Sequence, residues 1–159
     1  MDEILEILEK NARCSHADIA AMTGRSETEV QNAIAAYEKD HTIAGYTTLV
    51  NWDKTDGEQV TALIEVKVTP QRDRGFDKVA ERIYSYPEVK ACYLMSGGFD
   101  LSVVIEGRSM KEVALFVAEK LAPIEAVTST ATHFVLKKYK DHGFVFGPGP
   151  EDDREQVLI

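Results

Sequence analysis

One short segment of the sequence groups side chains and backbone amides that could bind a small charged ligand. Between two apolar runs the chain reads Ser96, Gly97, Gly98, Phe99 and Asp100. Backbone amides near a glycine pair can hold a carboxylate, and an aspartate can accept hydrogen bonds from an ammonium group. The segment could therefore bind an amino acid zwitterion. The same composition also suits an ordinary glycine hairpin with a surface aspartate, and the segment alone leaves both interpretations open.

A second set of polar side chains lies further along the chain. Thr130 and Thr132 alternate with Ser129 and Ala131, so the two threonines share one face of a predicted strand. Their hydroxyls could line a polar pocket, although alternating threonines are also typical of any half-exposed strand. We therefore treat Thr130 and Thr132 as candidate ligand contacts.

A third arrangement suits the major groove of double-stranded DNA. Two short helices are predicted on either side of Thr23, Gly24 and Arg25, and Ser26 with Glu29 forms the signature of a capping box that starts the second helix. This spacing is typical of a helix-turn-helix whose second helix enters the groove. Helical hairpins of this kind also occur in bundles that bind no nucleic acid.

The outward face of the second helix carries the candidate base contacts. Thr28, Gln31 and Asn32 point away from its apolar stripe, and both amide side chains could pair with adenine. Ser26 stands at the start of that face, and Arg25 could approach a phosphate. These five residues are the predicted DNA-binding set.

The charge balance argues against strong non-specific binding to DNA. The chain has a formal net charge of -9, and residues 1–50 contain nine acidic and four basic side chains, a net charge of -5. Binding should therefore be weak per subunit. An alternative is a helix-turn-helix with weak or lost DNA binding, in a protein that senses an amino acid and contacts only other proteins.

Several other classes of protein find no support in the sequence. It contains no P-loop, dinucleotide fingerprint or nucleophile elbow, so no enzyme activity and no cofactor are expected. Cys14 and Cys92 lack a metal-type or redox-type partner spacing, and we interpret both as reduced thiols. No signal segment and no long apolar run is found, so a cytoplasmic protein without a membrane partner is expected.

Hydrophobic periodicity predicts two domains joined by a hinge, in an α+β fold. Residues 1–50 predict a winged helix-turn-helix with a β-ribbon over 40–51, and polar residues 51–59 predict the hinge. The pattern over residues 60–140 predicts a ferredoxin-like βαββαβ domain. Residues 141–159 are predicted to form a C-terminal tail without regular structure. The predicted strands of the second domain are 60–68, 89–95, 101–106 and 127–139, and its predicted helices are 75–84 and 109–121.

A sheet of this topology has both helices on one face, so its other face needs cover. A domain this small buries too little surface on its own, and a second copy packed on the open face is an economical solution. We expect Ile64, Val66 and Val103 to lie on that open face. The sequence thus predicts at least a homodimer.

Taken together, the motifs in this order resemble the Lrp/AsnC family of bacterial transcription regulators, the leucine-responsive and asparagine-type feast/famine regulators. The resemblance covers about residues 1–140. The family's "GYT" strand after the helix-turn-helix matches Gly45, Tyr46 and Thr47, its glycine-x-aromatic-aspartate turn matches residues 97–100, and its closing strand matches residues 132–137.

The resemblance implies a regulator that binds DNA as a dimer or an octamer. It also implies a small effector, usually an amino acid, bound between subunits beside the residue 97–100 turn, with Thr130 and Thr132 on the neighbouring strand. Family members generally carry one or more arginines in the recognition helix, whereas this chain has Gln31, Asn32 and Ala35 there. Some tetrapyrrole decarboxylases resemble the same two-domain arrangement, but the histidine and arginine partners that such a pocket needs are not visible near Asp100.

Overall fold

The structure, a computed structural model, describes residues 2–69 and 75–147. The chain divides into two compact units, residues 1–50 and 51–159. Each unit buries its own cluster of apolar side chains. The part of the predicted tail that follows residue 147 lies outside the described residues.

The first unit consists of three helices, as the apolar periodicity predicts. They are α1 (Glu3–Lys10), α2 (His16–Thr23) and α3 (Glu27–Lys39). Each helix turns one apolar stripe toward the others, which removes these side chains from water. The buried side chains are Ile4, Leu8, Ile19, Ala20, Val30 and Ile34.

Local capping residues set the ends of these helices. The side chains of Asp2, Ser15 and Ser26 each accept a hydrogen bond from a backbone amide in the first turn of the following helix. Helix α2 ends at Gly24, whose φ of 70° is the left-handed conformation that glycine adopts without strain. The predicted helix-turn-helix is confirmed, including the capping box between Ser26 and Glu29.

The predicted β-ribbon over residues 40–51 is wrong. After the turn at 40–43, residues 44–51 form no strand. The segment has strand-forming residues such as Tyr46 and Val50, but both side chains are exposed and no strand within residues 2–50 pairs with it. Strand propensity without a hydrogen-bonded partner does not make a ribbon.

The second unit contains the predicted antiparallel sheet with two helices. In chain order its elements are β1 (Val60–Val68), α4 (Asp77–Tyr84), β2 (Val89–Leu94), β3 (Leu101–Gly107), α5 (Met110–Phe116) and β4 (Val127–Phe134). The strands are arranged β2-β3-β1-β4, with antiparallel neighbours throughout. This is the ferredoxin-like order predicted from the sequence.

The two faces of the sheet carry different side chains from those we expected. Ile64, Val66 and Val103 are fully buried and pack with apolar residues of α4 and α5, so they lie under the helices and not on the open face. The open face carries Leu63, which is 42% exposed, and its cross-strand partner Val104. Successive side chains of a strand point to opposite faces of the sheet. The prediction therefore assigned to the open face the alternating set that the helices cover.

Helix α5 ends in an unusual turn that is tied to β2. Residues Val117–Leu121 form one turn of π-helix, a form seen mostly as single turns within α-helices. In this turn Lys120 places its Nζ 2.5 Å from Glu88 Oε1 and over the rings of Tyr86 and Phe116, at 5.3 and 5.2 Å from the ring centroids. The contact joins the end of α5 to the start of β2.

The end of the described chain is more ordered than predicted. Strand β4 ends at Phe134 instead of residue 139, and the predicted tail begins with a small hairpin of β5 (Lys140–Asp141) and β6 (Phe144–Val145). The Nδ2 of Asn51 donates to the carbonyl oxygen of Phe146 at 3.0 Å, which ties this hairpin to the start of the unit. No helix in the described ranges is long and apolar enough to cross a membrane.

Candidate functional site

The turn between β2 and β3 is held at its base and open at its tip. The amide of Met95 donates to the carbonyl oxygen of Asp100 at 2.8 Å and closes the loop. Ser96, Gly97 and Gly98 are exposed, and Phe99 is half-buried. Within residues 2–69 and 75–147, none of these four loop amides donates to a protein acceptor. The loop thus offers free N–H groups of the kind that a carboxylate requires.

The two glycines of this turn differ in their backbone conformation. Gly97 has a φ of 135°, whereas Gly98 has no positive φ, and a Cβ atom built on either residue would meet no other atom within 4 Å. Space therefore does not require glycine at either position. The backbone requires it only at Gly97.

Replacing Gly97 with alanine should lower the free energy of unfolding by about 1 to 3 kcal/mol, the cost of holding an L-residue in a disfavoured backbone region. Gly98→Ala, the matched control, should change it by less than about 0.5 kcal/mol. Urea unfolding of both variants measures the difference. Equal effects at the two positions would contradict the assigned role of Gly97.

Asp100 is anchored more firmly than a surface turn residue. Its Oδ2 accepts from the amide of Val68 at 2.8 Å, and its own amide donates to the carbonyl oxygen of Val66 at 3.1 Å. The β1–β4 register shifts at Lys67 and Val68, and the β1–β3 pairing ends at Val66 and Leu101. The carboxylate therefore extends the β1–β3 ladder by one hydrogen bond, a structural role that the sequence analysis did not foresee.

The second carboxylate oxygen of Asp100 is not used in this way. In the described part of the chain, Oδ1 has no hydrogen-bond partner. Asp100 is partly exposed, so this oxygen and its charge can still reach a ligand. The aspartate can thus support the strand end and accept from an ammonium group at the same time.

Thr130 and Thr132 do not form an enclosed pocket with the turn inside one chain. Thr130 lies opposite Val66 and Thr132 opposite Ile64, so strand β1 separates them from β3 and its turn. Thr130 and Leu101 pair with Val66 from opposite sides, so two strand spacings, about 10 Å, separate their backbones. Both threonines are half-buried and lie on the helix-covered side of the sheet.

Two surface cavities of the second unit lie at the opposite end of the sheet from the turn. A cavity of about 190 Å³ is bordered by Glu88, Gly107 and Phe116, and one of about 330 Å³ by Trp52, Gly107 and Arg108. Neither includes a predicted effector-binding residue. In the described ranges, no three His, Cys, Asp or Glu side chains come together as a possible metal site.

The predicted DNA-binding residues surround the N-terminal half of α3. Thr28, Gln31 and Asn32 are exposed on the surface of the helix. The hydroxyl of Ser26 is engaged in the capping box, since it donates to Glu29 Oε2 at 2.7 Å and accepts from the Glu29 amide at 3.3 Å. The Ser26 hydroxyl and the Ser26 backbone amide both donate to the Glu29 carboxylate, and these two hydrogen bonds lower the pKa of Glu29.

Arg25 is not a free cation in this structure. Its Nη2 lies 3.5 Å from Oδ1 of Asp2, which also accepts from the amide of Ile4 at 3.0 Å. The hydroxyl of Tyr37 donates to Oδ2 of the same aspartate. The hydrogen bonds from Tyr37 and Ile4, and the charge of Arg25, hold the pKa of Asp2 below its ordinary value.

No role was predicted for Asp2 from the sequence. Its contacts with Arg25 and Tyr37 join residues 23 and 35 positions apart. No local pattern reports such a pairing. The same is true of the bond between Asp100 and Val68, which lie 32 positions apart.

Each of the two units of the chain matches a known family model. The model of the AsnC-type helix-turn-helix domain matches residues 3–38, and that of the Lrp/AsnC ligand binding domain matches residues 61–145. The chain is therefore a transcription regulator with a helix-turn-helix and a ligand-binding domain, and not an enzyme. It belongs to the Lrp/AsnC family.

Relatives in sequence support the same assignment. The chain is 54% identical over 153 residues to the HTH-type transcriptional regulator YugG of Bacillus subtilis, covering 96% of this chain and 92% of that protein. It is 33% identical over 137 residues to the HTH-type transcriptional regulator LrpA of Pyrococcus horikoshii, covering 86% and 94% respectively.

Solved structures share the fold at lower sequence identity. E. coli AsnC matches with a TM-score of 0.64 and 24% identity, over 85% of this chain and 89% of that one. A transcriptional regulator of Neisseria meningitidis, solved as a complex with L-Met, matches with a TM-score of 0.70 and 21% identity, over 89% and 93%.

Proposed function

We propose that this regulator reads DNA through the exposed face of α3, responds to an amino acid effector, and works as a homodimer or a higher oligomer such as an octamer. The observation that carries the proposal is the set of three exposed polar side chains, Thr28, Gln31 and Asn32, on the second helix of a helix-turn-helix. Each can contact the edge of a base without first breaking a side-chain hydrogen bond or ion pair with any residue that the structure describes. Such a regulator would act in the cytoplasm, beside the DNA.

The turn at residues 96–100 is the proposed effector site. Its free amides suit a carboxylate, and the unused Oδ1 of Asp100 suits an ammonium group, which together are the charged groups of an amino acid. The L-Met complex of the structural neighbour supports this chemistry. Because Thr130 and Thr132 lie a strand away from the turn, we infer that contacts from a second copy complete the site.

The open face of the sheet is the proposed dimer interface. Its central residues, Leu63 and Val104, are apolar, and Glu65 Oε1 lies 3.3 Å from Nε2 of His133 on the same face. A second copy packed there would remove the apolar side chains from water. Linking several DNA-binding units in this way would raise the avidity for DNA by roughly 10² to 10⁴, which offsets the weak binding expected of each negatively charged unit.

Light scattering of the parent protein should show at least a dimer. Leu63→Lys should shift the protein toward the monomer, because a lysine charge would be buried in the interface. Leu115→Lys is the matched control, since Leu115 on α5 is 44% exposed against 42% for Leu63. Circular dichroism checks that both variants are folded. A monomeric parent, or equal dissociation by both variants, would exclude this interface.

Sequencing the DNA fragments that the purified protein retains, with and without each amino acid, tests the proposed function directly. We expect a shared sequence among the retained fragments and a change in retention with one or a few amino acids. Retention without sequence preference would contradict base reading by α3.

One alternative is an amino acid sensor that does not bind DNA. The pairing of Arg25 with Asp2 and the acidic balance of residues 1–50 favour it. This alternative predicts that no fragments are retained, while amino acids still raise the thermal stability of the protein. The same purified protein therefore distinguishes the two functions.

A further inference from the structure

The contact between Asp2 and Arg25 bears directly on how the helix-turn-helix meets DNA. Arg25 immediately precedes the N-cap of α3, the end of the recognition helix that enters the major groove, and phosphates are favoured at helix N-termini. The other basic residues of this unit, Lys10, Arg13 and Lys39, are distant from that cap in sequence. Arg25 is thus the basic residue that directly adjoins this cap, where its side chain can reach a phosphate.

Asp2 holds its position without any help from Arg25. One carboxylate oxygen accepts from the Ile4 amide as the cap of α1, and the other accepts from the Tyr37 hydroxyl of α3. These donors fix a negative charge within reach of the Arg25 guanidinium. The same donors lower the pKa of Asp2, so the carboxylate is charged at neutral pH.

The ion pair itself is loose enough to exchange. Its 3.5 Å separation is longer than the 2.7 to 2.9 Å of a strong charged hydrogen bond, and the Arg25 side chain is 39% exposed. Exposed pairs of this kind contribute little to stability. A DNA phosphate can therefore draw the guanidinium away, but it must do so next to the fixed carboxylate, which repels it.

We propose that Asp2 is a built-in competitor for the Arg25 guanidinium that limits the contact of the regulator with DNA phosphates. Asp2 acts through Arg25 and contacts no base. Its effect is independent of DNA sequence, so it lowers binding to random DNA and leaves discrimination to the exposed face of α3. This inference rests on the proposed binding of DNA.

The test is Asp2→Asn in the full chain, with a random-sequence duplex as the probe. Asparagine is as good an N-cap as aspartate, and its amide nitrogen can donate to the Tyr37 hydroxyl oxygen, so the variant removes the charge and keeps the fold. At about 50 mM salt we expect binding roughly three- to tenfold tighter than that of the parent. The dependence of log affinity on log salt should steepen by about one per subunit that contacts DNA.

Two controls separate this mechanism from a general change of charge. Glu3→Gln removes the same charge from the next residue, whose side chain is exposed, and should leave affinity and salt slope almost unchanged. In an Arg25→Gln background, Asp2→Asn should change neither DNA affinity nor its salt dependence, because the guanidinium that Asp2 engages is absent. Thermal unfolding verifies that each variant is folded.

The outcomes distinguish this inference from the proposed function. If the parent binds DNA and Asp2→Asn binds it with the same affinity and slope, the competitor role is wrong while DNA binding stands. A gain that persists in the Arg25→Gln background would also overturn it, as a general charge effect. If neither the parent nor Asp2→Asn binds any duplex, DNA binding fails and the inference fails with it.

Discussion

Replacing Gln31 and Asn32 together with alanine is expected to reduce the preference for the retained DNA sequence over random DNA by roughly 30-fold or more. Each bidentate contact between an amide side chain and adenine contributes about 1 to 3 kcal/mol to discrimination, and both contacts would be lost. Binding to random DNA should change little, because it depends on phosphate contacts. Titrations of the variant with both duplexes give the two affinities.

This double variant should be folded. Both residues are exposed on α3 and bond to no described residue, and alanine is the strongest helix former. Circular dichroism serves as the check. Equal losses on the retained sequence and on random DNA would show that Gln31 and Asn32 do not read bases.

Asp100→Ala is expected to damage stability and effector binding together. The variant leaves the amide of buried Val68 without its acceptor, which should lower the free energy of unfolding by about 1 to 3 kcal/mol. It also removes the proposed partner of the ammonium group, a charged hydrogen bond that contributes about 1.5 to 3 kcal/mol. Effector affinity should therefore fall roughly tenfold to a hundredfold.

Asp100→Asn separates the two roles. The side-chain oxygen of asparagine can still accept from the Val68 amide, so the variant should unfold at nearly the urea concentration of the parent. Its lost charge should still weaken the effector about as much as in the alanine variant. Calorimetry with L-methionine, and with any other amino acid that alters DNA retention, measures the affinity. If Asp100→Asn binds such an effector as tightly as the parent, the ammonium site lies elsewhere.

The local sequence was sufficient to predict the helices of the first unit and the order of elements in the second. Caps such as Ser26 and stop signals such as Gly24 act within one turn of the helix they limit, so their effect can be read from neighbouring residues. Alternating apolar residues identified the strands in the same way. The order of motifs then sufficed to predict the family, which the matches over both units confirm.

Only the tertiary structure decided which alternate set of strand residues the helices cover. Ile64 and Leu63 are both apolar and differ by one position, so periodicity fixes that they point to opposite faces but not which face is buried. The β-ribbon over residues 40–51 failed for a related reason. A strand needs a hydrogen-bonded neighbour, and propensity within the segment cannot supply one.

The polar contacts of the candidate site were also beyond local reasoning. Asp100 lies on a turn that looks exposed in the sequence, yet it bonds to Val68, where the register of β1 shifts. Asp2 received no predicted role, yet it caps α1 and also contacts Arg25 and the hydroxyl of Tyr37. The sequence determined which groups this protein has for binding DNA and a small effector. Which of them are already engaged depends on residues brought together from distant positions, and only the folded chain decides that.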